Sequence, residues 1–213
     1  MTSNRNPIVV AFDGTAASGK SSVAKLVAKE CGYDYLDTGL MFRKIAYYCI
    51  KQNIDLNNEK EILKVIKTFN FGKDVDKSNI YSDAISNVAS QIAVKRSVRK
   101  ALLKMQRKFA DGKKGVIIDG RDIGTVVFPN ADFKFFFNAS LEERATRRYN
   151  QLRKIGEVIT FSQVLDSLRM RDQRDKDRCV APLKKAEDSF EIDTTSLSIN
   201  EALDIILKKI END

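Results

Sequence analysis

Short, continuous apolar runs alternate along this chain with longer stretches whose apolar residues recur every three to four positions. Pro7–Phe12, Gly115–Ile118 and, interrupted once by Lys134, Phe133–Phe137 are runs of the first kind. Two of them stop at Asp-Gly, at Asp13-Gly14 and Asp119-Gly120, as buried strands do. Tyr33–Leu36 and Phe190–Ile192 add two shorter strands. The helical spacing covers Lys20–Cys31, Met41–Ile50, Glu59–Phe71, Ala84–Ala93, Val98–Phe109 and Leu141–Ile155. It also covers Phe161–Met170, with a continuation toward Arg178, and a last helix capped by Ser198 and ending near Ile210. Gly72–Ser82 is polar and turn-like. Strands alternating with helices predict an α/β fold whose parallel sheet is covered on both faces. In such sheets ligands bind beyond the carboxyl ends of the strands. With no repeat, no low-complexity tract and three prolines in 213 residues, the chain reads as a single domain.

Between the first strand and the first helix lies Gly14-Thr15-Ala16-Ala17-Ser18-Gly19-Lys20-Ser21, followed by Ser22. It matches G-x-x-x-x-G-K-[ST] in the context that this motif requires. Two correctly spaced glycines arise by chance in about 0.5% of windows, and the Lys, Ser, strand and helix requirements reduce that much further. The glycines let successive N–H groups turn inward on a phosphate, and the helix adds its positive dipole end. Lys20 can reach the β- and γ-phosphates, and the Ser21 hydroxyl can ligate Mg²⁺. No Asn-Lys-x-Asp segment is present, which argues against a GTPase.

Composition narrows the chemistry. There is no histidine, so a Ser-His-Asp triad, a histidine base and a His-ligated zinc site are excluded. The three cysteines, Cys31, Cys49 and Cys179, are scattered and odd in number, which fits a reducing compartment. Hydrophobic residues are 43% of the chain, yet no stretch reaches the length of a membrane span. The expected location is cytoplasmic, with no membrane partner. The net charge of +8 points to an anionic partner, either nucleic acid or phosphorylated small molecules.

Three clusters bear on a second substrate. Asp37-Thr38-Gly39-Leu40-Met41-Phe42-Arg43 follows the second strand, and taken alone reads better as a helix start, with Thr38 capping and Arg43 solvated, than as a binding segment. Asp119-Gly120-Arg121-Asp122-Ile123-Gly124 lies at the ligand edge of the third. In Arg171–Arg178, the side chains of Arg171, Arg174, Asp175 and Arg178 share one helix face at i, i+3, i+4, i+7. Three guanidinium groups on one face repel one another unless anions sit among them. By itself that face is explained by surface ion pairs such as Arg171–Asp175. Beside a phosphate loop it suits a reaction that brings two polyanions together. Asp13 and Asp119, at strand ends, are candidates for the outer shell of Mg²⁺ through water.

These segments carry a family resemblance. Asp37-Thr38-Gly39 through Arg43, Ala89-Ser90-Gln91 with Arg99, and Gly120-Arg121-Asp122-Ile123-Gly124-Thr125-Val126-Val127-Phe128-Pro129 look like bacterial cytidylate kinase. So do Arg178-Cys179-Val180-Ala181-Pro182-Leu183, Asp193-Thr194-Thr195 and Leu197-Ser198-Ile199. The resemblance runs from the first strand to the last helix. It implies a P-loop kinase with a five-stranded parallel sheet flanked by helices. A nucleoside-monophosphate-binding insertion would span about 38–110 and a short lid about 155–180. It further implies transfer of a phosphoryl group from ATP to CMP or dCMP with Mg²⁺. By position, Thr38, Arg43, Arg121 and Arg178 would hold the CMP phosphate; Ser90, Arg99 and Asp122 would read cytosine; Arg171 and Asp175 would contact the sugar. Lys20, Arg171, Arg174 and Arg178 would be the catalytic cations. A carboxylate at Asp122 suits the donor amino group at cytosine N4 and repels the acceptor that uracil presents there.

The sequence departs from that family at Leu40, where a small residue is usual, at Phe42 for Tyr, and at Cys179 for Ala. The insertion between Arg43 and Ser90 is shorter than is typical and has no Asn-Gly hairpin turn, which speaks against the small three-stranded sheet carried there. Two alternatives stay open on the residues themselves. One is phosphorylation of another small acceptor, such as a different monophosphate, shikimate or dephospho-coenzyme A. The other is ATP-dependent nucleic-acid binding, although Phe133, Phe135, Phe136 and Phe137 sit in a strand rather than among exposed basic residues. The expected species is a monomer whose partners are ATP and CMP or dCMP, without nucleic acid.

Overall fold

A computed structural model describes residues 7–68 and 77–212. The described residues fall into two units, each with its own interior.

The first unit takes in the described residues of Met1–Asp37, Met105–Ala139 and Leu183–Asp213. It holds five parallel strands, β1 Ile8–Gly14, β2 Asp34–Asp37, β3 Gly115–Asp119, β4 Phe133–Asn138 and β5 Phe190–Asp193, in the order β2-β3-β1-β4-β5. The central position of β1 explains its unbroken apolar run: both faces are covered, so alternation would place polar groups in the core. Phe12 stacks on Phe137 at 5.3 Å between ring centroids and tilts against Phe135 at 5.4 Å. Val23 and Val27 of α1 (Lys20–Cys31) and Ala202 and Ile206 of α9 (Ile199–Asn212) close over the same core. Gly32 ends α1 in a left-handed conformation and returns its N–H to the carbonyls of Ala28 and Lys29.

The second unit takes in Thr38–Lys104 and Ser140–Pro182. Its described residues form α2 (Thr38–Lys51), α3 (Glu59–Thr68), α4 (Lys77–Ile80), α5 (Asp83–Ile92), the larger part of α6 (Arg96–Lys108), α7 (Leu141–Lys154) and α8 (Phe161–Asp177). Ser82 and Ser140 cap α5 and α7, and Thr160 with Gln163 forms a capping box on α8. No strand occurs in this unit among the described residues.

The expected elements recur with shifted ends. The second helix starts at Thr38 rather than Met41, so Thr38 is helical and buried instead of capping from outside. The helix from Phe161 runs unbroken to Asp177, since no Gly or Pro interrupts it. The turn-like reading of Gly72–Ser82 gives way to α4 over Lys77–Ile80, while 72–76, and the 69–71 end of the helix expected there, lie outside the described residues. A π-helical turn over Ile123–Val127 has no counterpart among the expected elements. No helix among the described residues is long and apolar enough to cross a membrane.

Candidate active site

In the first unit, chain direction changes abruptly where β1 ends. Gly14 lies against β4 with φ +150°, and an added Cβ would stand 2.1 Å from the Phe137 carbonyl oxygen. Ala17 and Gly19 also have positive φ, 59° and 83°, so the loop curls before α1 begins. Its hydrogen bonds come from several sides. Thr15 N–H donates to the Phe137 carbonyl at 3.1 Å, and the Ser18 hydroxyl to the Thr15 carbonyl at 3.0 Å. The Thr194 hydroxyl donates to the Ser18 carbonyl at 2.8 Å. A loop held in this way presents its remaining N–H groups without first having to be ordered.

Lys20 is buried and pairs with Asp119 Oδ1 at 3.2 Å. Burial, with the neighbouring Arg121 charge, pulls its ammonium down to about 8, against the pull of Asp119. Tyr35 donates its hydroxyl to Asp119 Oδ2 at 3.0 Å and also shares a hydrogen bond with the Ser21 side chain. Burial next to the Asp119 and Asp37 carboxylates pushes the Tyr35 phenol well above its ordinary range, which keeps it a donor. Ser21, Tyr35, Asp119 and Lys20 thus form one continuous polar chain.

The Gly120–Gly124 turn stands on β3 in the same unit. Gly120 N–H donates to the Phe12 carbonyl at 2.8 Å. Ile123 and Gly124 N–H groups donate to Asp13 Oδ1 and Oδ2, each at 2.7 Å. Burial pushes the Asp13 carboxyl up to about 7, opposed by those two amides and reinforced by the charge of Asp122. Arg107 closes the far end, donating to the carbonyls of Val126 and Val127 at 3.0 and 2.9 Å. Arg121 is half-buried and Asp122 buried.

In the second unit, Thr38 opens α2 and Arg43 lies one turn on, its guanidinium 4.9 Å from the Tyr81 ring centre. Arg99 on α6 sits 5.9 Å from the Phe42 ring and donates to the Ala93 carbonyl at 3.2 Å. Ser90 on α5 is 4% exposed, and its hydroxyl has no hydrogen-bond partner among the described residues. On α8, Arg174 donates to the Asn87 carbonyl at 3.3 Å and to its side-chain oxygen at 2.6 Å. Asp175 pairs with Arg178 at 3.7 Å, and Arg178 donates to the Ala181 carbonyl at 2.5 Å. Asp172, three residues before Asp175 on α8, pairs with the buried Arg144 of α7 at 2.7 Å.

The cytidylate kinase family model matches residues 10–212. The cytidylate kinase of Fusobacterium nucleatum is 45% identical, with 96% of this chain and 97% of that protein covered. This chain belongs to the cytidylate kinase family. The cytidylate kinase of Bacillus subtilis is 44% identical, with 95% and 96% covered. Among solved structures, a gluconokinase from Sinorhizobium meliloti aligns with a TM-score of 0.51 at 15% identity, covering 98% of this chain and 94% of its own. An uncharacterized protein from Eubacterium ventriosum aligns at 0.56 and 13%, covering 97% and 99%. At those identities the likeness is one of fold, and it agrees with the P-loop kinase architecture expected from the sequence.

Within this cytidylate kinase family member, Gly14–Ser22, Lys20, Asp119, Arg121 and Asp122, all singled out in the sequence, lie in the first unit. Thr38, Arg43, Ser90, Arg99, Arg171, Arg174, Asp175 and Arg178 fall in the second. The sequence did not single out Tyr35, Tyr81, Asn87, Arg107 and Arg144, which hold these in place, and it marked Thr194 only as part of the family-like Asp193-Thr194-Thr195, with no role. Tyr35 lies within β2, just ahead of Asp37, and Thr194 directly follows β5. Nearness to strand ends at the ligand edge of the sheet is the signal that could have found them. Nothing local marks Asn87 or Arg107.

Proposed function

We propose that this chain carries out its family's reaction as a direct in-line transfer of the ATP γ-phosphoryl group to a phosphate oxygen of CMP or dCMP. The products are ADP and CDP or dCDP, for pyrimidine nucleotide synthesis. It is an ATP-dependent nucleoside monophosphate kinase, a phosphotransferase with a phosphate acceptor. The acceptor oxygen is already anionic near neutral pH, so no general base is needed, which agrees with a chain without histidine. The difficulty is charge and alignment.

The N–H groups of Gly14–Ser22 and the start of α1 receive the triphosphate, and Lys20 exchanges Asp119 for the β- and γ-phosphates. Thr38, Arg43, Arg121 and Arg178 hold the acceptor phosphate. Arg171 and Asp175 contact the sugar, and Arg171, Arg174 and Arg178 join Lys20 in balancing charge as the phosphoryl group moves. Ser90, Arg99 and Asp122 read the base. The observation that carries this reading is the Ser90 hydroxyl, buried without a partner among the described residues. Such a group costs about 1–3 kcal/mol, and the cytosine N3 or O2 acceptor would satisfy it.

The donors around the loop fit Mg²⁺, which takes oxygen ligands and keeps several waters. Ser21 would ligate it directly, and Asp119 would do so through water once Lys20 has turned to the phosphates. Asp13 was expected beside Asp119 in that shell; both of its oxygens already accept backbone N–H groups, so the contact is assigned to Asp119. When bound, Mg²⁺ supplies neutralising charge to the phosphates. We place the protein in the cytoplasm as a monomer with small nucleotides as its partners, without nucleic acid or membrane.

A panel of nucleoside monophosphates with ATP and Mg²⁺, read by ADP release, tests this. CMP and dCMP should lead by about fivefold or more in kcat/KM, since one wrongly paired base edge costs about 1–3 kcal/mol. UMP or AMP as the best acceptor would refute it.

A further inference from the structure

Asp13 is the residue just before the phosphate loop, yet its carboxylate is spent on another segment. Its two oxygens accept the N–H groups of Ile123 and Gly124 at 2.7 Å each, 110 and 111 residues away in sequence. Both bonds are short, and Asp13 is 5% exposed. The two donors directly follow Arg121-Asp122. They also begin the π-helical turn, whose Val126 and Val127 N–H groups fold back onto the Asp122 carbonyl at 2.9 and 3.1 Å. π-helical turns are rare, and this one has an identifiable anchor. Gly124 fits it: an added Cβ would lie 3.4 Å from Asp13 Oδ2 and 3.1 Å from Lys134.

We propose that Asp13 is a positioning residue for the acceptor nucleotide, fixing the turn that presents Arg121 and Asp122, rather than part of the metal shell of the donor. This deepens the reading in which Arg121 holds the acceptor phosphate and Asp122 reads the base, and rests on it. The geometry has a functional corollary. β1 leads directly into the donor loop at Gly14, so Asp13 ties the strand that delivers ATP-binding groups to the segment that delivers acceptor-binding groups.

Asp13→Asn tests it. An amide keeps one acceptor and turns an N–H toward either Ile123 or Gly124, so one bond is lost. The expected result is CMP binding weakened by about tenfold to a hundredfold, the range for a hydrogen bond to a charged group. Calorimetry with CMP alone reads it. The affinity for an ATP analogue and the Mg²⁺ concentration at half-maximal rate should shift by less than about threefold, since Asp13 bears on the donor side only through the charge of Lys20, whose ion-pair partner is Asp119. Asp13→Glu, which keeps the charge but displaces the carboxylate by one methylene from the Ile123 and Gly124 N–H groups, should weaken CMP binding in the same direction, and it carries the test should Asp13→Asn not fold. Unchanged CMP affinity in the variants that fold overturns the proposal, as does a loss matched by an equal shift in the Mg²⁺ requirement. Asp122→Asn serves as the reference. If its ratio of CMP to UMP kcat/KM is unchanged, the base-reading assignment fails, while the CMP affinity of Asp13→Asn still decides the present proposal.

Discussion

Replacing Gly14 by alanine should break the join between strand and phosphate loop. The new Cβ would meet Phe137 at three atoms, its carbonyl oxygen at 2.1 Å, its carbonyl carbon at 2.8 Å and its Cβ at 2.9 Å. Carbon atoms in contact prefer about 3.5–4.0 Å, so the overlap exceeds half an ångström throughout. None of these neighbours is the free end of a side chain. Phe137 is registered opposite Gly14 in the sheet, accepts the Thr15 N–H, and stacks on Phe12. Relief therefore requires β1 to part from β4. Overpacking of this kind costs about 1–3 kcal/mol. The backbone at φ +150° adds about 1–3 kcal/mol for a residue with a side chain. The sum, about 2–6 kcal/mol, corresponds to a fall in Tm of roughly 4–24 °C at about 2–4 °C per kcal/mol for a chain of this size. Gly32→Ala is the control. It has positive φ as well, +64°, but nothing lies within 4 Å of its added Cβ. It should cost about 1–2 kcal/mol, the conformational part alone. Scanning calorimetry of both variants, with binding of an ATP analogue, is the assay. Equal Tm values for the two, with normal ATP affinity in Gly14→Ala, would refute the packing argument.

Other expectations follow from the same geometry. With Lys20 held down to about 8 in the free protein, ATP affinity should be level below that pH and fall as pH rises through it, because the ammonium that meets the phosphates is lost. Bound phosphate favours the charged form, so binding above pH 8 should take up a proton; a Lys20→Arg variant, always protonated, should show neither effect in calorimetry at about pH 6.5 to 9.5. Arg174→Ala should lower kcat by about 10³-fold or more in steady-state assays while leaving the far-UV dichroism unchanged. Near-normal turnover would remove Arg174 from the reaction. Arg144→Met should destabilise the fold by about 3–5 kcal/mol in urea titration, since it leaves Asp172 buried without its 2.7 Å partner.

The sheet and the donor loop were legible because they obey local rules. β1 is buried on both faces and reads as a continuous apolar run, and the loop after it has a fixed spacing of Gly, Lys and Ser. α8 was legible over Phe161–Met170 with a continuation toward Arg178, and with no helix breaker in the way it runs to Asp177. Ile123-Gly124-Thr125-Val126-Val127 illustrates the opposite case. Its β-branched composition gives no helical cue, and the turn exists because Asp13 and Arg107 bond to it from elsewhere in the chain. Asp13 shows the same long range: nothing adjacent in the sequence marks that its two oxygens accept backbone amides 110 and 111 residues later. Ser90 and Arg99 were placed by family likeness alone, since a serine and an arginine on helices carry no signal of their own.

The Thr194 hydroxyl reaches across 176 residues of sequence to the Ser18 carbonyl, while its N–H joins the Asn138 carbonyl at 2.9 Å. A loop encoded near the start of the chain is therefore finished by a residue just past the last strand. On the ribosome, Gly14–Ser22 emerges early but waits for β3, β4 and finally β5 before its shape is complete. Competence to take up ATP therefore follows the emergence of β5, and nucleotide stabilises only chains that have already reached that stage.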